Sequence, residues 1–186
     1  MSDQEEAPRR LVPDEPFPPY AFVPGKSPHP TRDSVGHSYG RAHPSHSQLD
    51  PERWQHCRPY LRGIDLFNFG YYWEAHEAWE NIWHAAGRRG EVAEFLKGLI
   101  ALAAAGVKAR EGKAAGVRQH ARRAQMIFRS LIHQPKRMGL DVADLDKEAA
   151  HLADSAESVV NTASVPVAVV FPFGLAISHR HPRTRN

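Results

Sequence analysis

Apolar side chains recur at helical spacing from about residue 50 to residue 160, and that periodicity stops on either side. Asp50-Pro51-Glu52 reads as a helix start: a capping residue, a first-turn proline and an acidic residue at the positive helix end. The helix it opens carries Trp54, Leu61, Ile64, Leu66 and Phe67, with Pro59 as a kink or split and Gly70 as its break. A second helix is expected from about Tyr71 to Ala86, followed by a loop at Gly87–Gly90. The third, Glu91 to about Glu111, contains FLKGLIALAAAGVKA, apolar around most of its circumference and therefore buried. Its glycines and alanines let neighbouring helices approach closely. Gly112 ends it, a fourth helix runs from about Lys113 to Ile132, and Gln134-Pro135 breaks that one. Asp141 or Asp144 caps a fifth helix running to about Val160. The pattern predicts an all-α fold: a compact bundle of about five helices, built as two antiparallel helical hairpins and a C-terminal helix.

The flanks are irregular. Residues 1–49 form an arm rich in proline, glycine, serine and histidine, which must be extended or turning. Phe17, Tyr20, Phe22 and Val23 are anchors that a solvated tail has no need of, so the arm is expected to wrap the helical domain of residues 50–160. The tail, residues 161–186, is apolar but interrupted by prolines. It suits a short strand, an extended packed segment or contact with a partner chain, so a homo-oligomer is compatible with it.

Composition narrows the setting more than the function. The chain has 186 residues, a net charge of +3 and one cysteine, Cys57. That is enough for one domain with a real core, and it allows no internal disulfide. MSDQEEAPRRLVPDE has no apolar stretch of the secretory type, and no run reaches the length of a membrane span. A cytoplasmic protein with no membrane partner is the expectation.

Candidate chemistry sits in FNFGYYWEAHEAWENIW, residues Phe67–Trp83. With Trp73 at zero and 100° per residue, Trp79, Tyr72, Trp83 and His76 fall at about 240°, 260°, 280° and 300°. That projection puts His76 inside the aromatic face and Glu80, at about 340°, on its edge. Glu77 is a boundary residue, and Glu74, near 100°, points away. His76 and Glu80 at i,i+4 suit two ligands of a divalent metal, or a base and its orienting acid, with Glu77 or His84 beside them. A third ligand would come from elsewhere, and His29, His37, His43 and His46 of the arm are candidates. The competing interpretation is a core histidine that donates to Glu80 or to a backbone carbonyl. Trp73, Trp79 and Trp83 are read as core, and Asn68 as a turn or cap residue.

Residues 108–137 carry nine cations against Glu111 alone. Arg118, Arg122 and Arg129 lie near one stripe, and Arg118, Arg122 and Arg123 are the candidate anion site. The partner would be an anionic ligand or a nucleic acid. The alternative is a solvated face paired with Glu91–Glu94 or Asp141–Glu148. No aromatics alternate with the arginines, no phosphate-cradling glycine loop is present, and no nucleophilic triad is supported.

Residues Leu66–Trp83, then FLKGLIALAAA at Phe95–Ala105 and GKAAG at Gly112–Gly116, resemble the DUF309 family of small all-helical proteins. The likeness covers about residues 60–132. It implies a compact helical bundle and no established activity or cofactor. The motif residues it marks are Asn68, Gly70, Glu74, His76, Glu77, Glu80 and Trp83. Departures are Lys97, where the pattern has glutamine, and Lys108, where a histidine often sits. Two functions remain open: a non-enzymatic helical binding or scaffold module, and a metal-dependent hydrolase-like enzyme using His76 and Glu80.

Overall fold

The computed structural model describes residues 8–41, 49–133 and 136–178. Its five helices are α1 (Arg58–Asn68), α2 (Tyr72–Ala85), α3 (Glu91–Glu111), α4 (Ala114–Ser130) and α5 (Val142–Asp154). Each packs on the next, so α1–α2 and α3–α4 form hairpins and α5 closes the bundle against α4. Between α4 and α5 a small antiparallel ribbon pairs β1 (Lys136–Arg137) with β2 (Leu140–Asp141), a feature the helical periodicity does not announce. No helix among the described residues is long and apolar enough to cross a membrane.

Each outer helix buries one stripe. Tyr60, Ile64 and Phe67 line the core from α1; Tyr72, Ala75, Trp79 and Ile82 from α2; and Val117, Ala121, Ala124 and Phe128 from α4. These spacings of three and four keep each set on one face. α3 lies between α2 and α4 and is buried on both sides, as its apolar circumference requires. Close approach there depends on a missing side chain: a Cβ on Gly106 would overlap the Tyr72 ring. Gly106→Ala is therefore expected to cost about 1–3 kcal/mol through overpacking, read as a lower urea midpoint at unchanged slope.

Two helix boundaries differ from expectation. α1 begins at Arg58 with Pro59 in its first turn, where the absent N–H is harmless. Asp50 instead makes a turn, its Oδ1 accepting the Glu52 N–H at 2.9 Å, and Trp54–His56 form a short 3-10 turn. α5 ends at Asp154, not Val160, and Asp141 is its cap, accepting from the N–H groups of Ala143 and Asp144. The break at Gln134-Pro135 lies outside the described residues.

Arm and tail both pack on the bundle. The Leu11 and Val12 N–H groups donate to the two oxygens of buried Asp65, each at 2.8 Å. Arg62 donates to the carbonyls of Glu15 and Pro16, and Phe17 stacks on Tyr71. The tail runs as an extended segment: the Val170 N–H donates to the Tyr72 hydroxyl at 3.0 Å, and Leu175 exchanges two hydrogen bonds with Asn68. Burial pushes the Tyr72 hydroxyl up to a pKa of about 12, so it remains a neutral acceptor here. Arg110, counted with the basic segment, is not on a solvated face. It is buried and donates to the carbonyls of Asn161, Ala163 and Val165.

Candidate functional site

The packing of α2 turns the aromatic segment away from the orientation projected for it. Its buried residues Ala75, Ile82, Trp79 and Tyr72 centre at about 220° on the scale used above, because alanine and isoleucine count toward the core as the tryptophans do. His76, at about 300°, is thus on the flank of the core stripe and not inside it. Its side chain is 26% exposed, and it opens onto a cleft bounded by α2, α3 and α4.

The cleft has a volume of about 210 Å³. His76, Glu80 and Trp83 form its α2 wall; Lys97, Ala101 and Ala104 come from α3; and His120 and Arg123 from α4. The short side chains of Ala101 and Ala104 keep the floor low, which is how a histidine on the helix flank gains open space beside it. His76 Nδ1 lies 3.6 Å from Glu77 Oε1 and 4.0 Å from Glu80 Oε2. Both separations are too long for hydrogen bonds. Nδ1 is nevertheless buried and without a hydrogen-bond partner, and so is Trp83 Nε1 on the same wall. Leaving such atoms unpaired costs about 1–3 kcal/mol each, so two in one cleft need an explanation.

His120 faces this wall. Burial holds its imidazole below the usual histidine range, and the nearby Lys108, Arg123 and His76 act in the same direction. It is the cleft residue that sequence reasoning passed over. Its signal was position: it lies beside the core stripe of Val117, Ala121 and Ala124 on an otherwise arginine-rich helix.

One group of histidine and acidic side chains among the described residues could hold a metal ion: His76, Glu77 and Glu80, with one donor atom from each within 4.8 Å of the others. Other motif residues have different partners. Glu74 does not point to solvent. The arm covers it, so that it accepts the Phe22 N–H at 2.9 Å and lies 3.2 Å from His37 Nε2. That commits His37 to Glu74, while His29 packs on Trp73. His43 and His46 lie outside the described residues. His84 accepts from Arg88, and Gly70 makes the α1–α2 turn at φ +86°.

Beyond the cleft, most of the basic segment is paired. Arg118 meets Glu157 at 2.5 Å, Arg129 meets Asp146 at 3.1 Å and Arg137 meets Glu91 at 2.6 Å. Lys108 and Lys113 share Glu111.

No curated protein matches the chain. Residues 60–119 match the family described as Domain of unknown function (DUF309). The match spans α2 and α3 with His76, Glu80 and Lys97, and it ends one position before His120. Residues 60–119, which hold most of α1, all of α2 and α3 and the start of α4, are therefore similar to DUF309, the family that the α2 motif resembles.

Proposed function

We propose that the bundle is a non-enzymatic binding module and that its ligand is a divalent transition-metal ion held in the cleft by His76 and Glu80, with Glu77 beside them. The observation that supports this is the buried, unpartnered Nδ1 of His76 between two carboxylates at 3.6 and 4.0 Å. Tetrahedral donors at about 2.1 Å from zinc lie about 3.4 Å apart, so modest side-chain rotation brings these atoms to coordination distance. A neutral imidazole with two carboxylates suits zinc or manganese better than calcium or magnesium, which favour oxygen alone. The ion would satisfy the nitrogen that no hydrogen bond reaches. A reducing, cytoplasmic setting belongs to the same proposal, since the sole cysteine, Cys57, is buried and free.

Metal analysis of protein purified without a tag tests this directly. Wild type is expected to retain or take up zinc or manganese, and His76→Ala to lose that uptake while remaining folded. A wild-type protein that takes up neither ion overturns the proposal.

The openness of the cleft supports a second reading, a metal-dependent hydrolase-like enzyme. Donors drawn from one helix would leave positions on the cleft side for water and substrate, and bound metal would supply an activated water. Hydrolysis of an activated ester by metal-loaded wild type, and none by His76→Ala, is the expected result for an enzyme; no turnover in either removes that reading.

A further inference from the structure

Beside the His76 cleft lies a larger groove between α3 and α4, about 580 Å³, and the two share Lys97 and Arg123. Its volume falls within the range of small-molecule sites. We infer that this groove is an organic-phosphate subsite, in which Arg122 and Arg123 hold a phosphate and the apolar wall formed by Met126, Ile127 and Ala115 takes the body of the ligand.

Three observations lead there. The first is which cations remain available. Six of the nine between residues 108 and 137 are engaged: Arg110 is buried on backbone carbonyls, and Arg118, Arg129, Arg137, Lys108 and Lys113 face carboxylates. Arg122 and Arg123 are exposed, with no ion pair among the described residues. Two guanidinium groups lining one groove suit a single dianion, because their planar forks match phosphate oxygens. They are too few for a nucleic-acid backbone, whose affinity comes from many phosphates.

The second is that Lys97 is recruitable. It pairs with Glu94 at 2.8 Å, but both side chains are substantially exposed, and such surface pairs contribute little. Glu94 is the one carboxylate lining the groove, against Lys97, Arg118, Arg122 and Arg123. The third is the apolar wall. Met126, 74% exposed, lines the groove together with Ile127 and Ala115, so hydrocarbon stands beside the cations. Cations at one end and exposed hydrocarbon along the side favour a phosphate monoester with an organic body over free phosphate.

The subsite uses side chains other than His76 and Glu80, so it stands or falls separately from the proposed metal site. Calorimetric titration of the full chain with phenyl phosphate and with inorganic phosphate tests it. Phenyl phosphate should bind more tightly than inorganic phosphate, and Arg122→Gln/Arg123→Gln should weaken it by about tenfold or more. Both arginines are exposed, so the double variant should unfold at the wild-type temperature, and an unchanged melting curve verifies that. His76→Ala should bind phenyl phosphate as wild type does. Four results overturn the inference: no binding of phenyl phosphate; equal binding by the arginine double variant; binding that needs zinc and vanishes in His76→Ala, which would assign the phosphate to the ion; or binding of a short oligouridylate that phenyl phosphate does not displace, which would assign the face to nucleic acid.

Discussion

Trp79→Ala is expected to destabilise the fold by about 3–5 kcal/mol, whereas Trp83→Phe, four residues on, should change stability by no more than about 1 kcal/mol. The two indoles look interchangeable in the motif and stand in different surroundings. Trp79 is fully buried, its Nε1–H donates to the Tyr60 carbonyl at 3.3 Å, and a Cβ on Gly63 would overlap its ring. Removing it leaves a large cavity and an unpaired carbonyl at the contact of α1 and α2. Trp83 lies on the cleft wall with its Nε1–H unpartnered and the Arg88 guanidinium 5.3 Å over its ring. Phenylalanine keeps an aromatic ring on this partly exposed wall, losing some of the indole's area and a donor that no protein group uses. A typical domain is stable by about 5–15 kcal/mol, so the Trp79 substitution consumes a large part of the margin. Urea unfolding followed by far-ultraviolet circular dichroism separates the two. Equal losses would mean that Trp83 is a core residue and that the cleft is closed around it.

The difference between these tryptophans shows where sequence periodicity sufficed. Five helices, their order and the burial of α3 follow from local pattern, because each depends on spacing within one segment, and the same pattern narrowed the α5 cap to Asp141 or Asp144. The orientation of α2 was legible only to within about 50°, since a projection weighted by its aromatics overlooks Ala75 and Ile82, which pack just as fully. The cleft needed α2 and α4 to be set on either side of α3, so His120 could not be recognised as its opposite wall. The basic segment was legible in part: Glu91 and Asp146, which pair with Arg137 and Arg129, lie in the acidic stretches of the paired-face alternative, whereas Glu157, the partner of Arg118, lies beyond them. Glu74 was read as solvent-facing because nothing in a helical projection represents an arm lying over it.

Asp65→Ala is the second large effect, about 3–5 kcal/mol, and it acts through that arm. One carboxylate, 1% exposed, accepts two backbone N–H groups from Leu11 and Val12, each at 2.8 Å. Hydrogen bonds to a charged group contribute about 1.5–3 kcal/mol each, and alanine leaves the buried Val12 N–H without an acceptor. Glu74→Gln should cost less, since Glu74 accepts a single arm N–H, from Phe22, and glutamine keeps an acceptor oxygen. Trypsin provides a local readout beside the denaturation midpoint. Arg10 donates to the Val12 and Glu15 carbonyls in the wild type, so cleavage there should accelerate in Asp65→Ala well before the bundle unfolds. Glu74 and His76 lie about 160° apart around α2, so the arm and the cleft occupy opposite sides of one helix. Folded Asp65→Ala should therefore bind metal and phenyl phosphate as the wild type does. Loss of either ligand together with the arm would mean that the arm orders α2 for binding, and an unchanged midpoint would mean that the Asp65 carboxylate contributes nothing to holding the arm down.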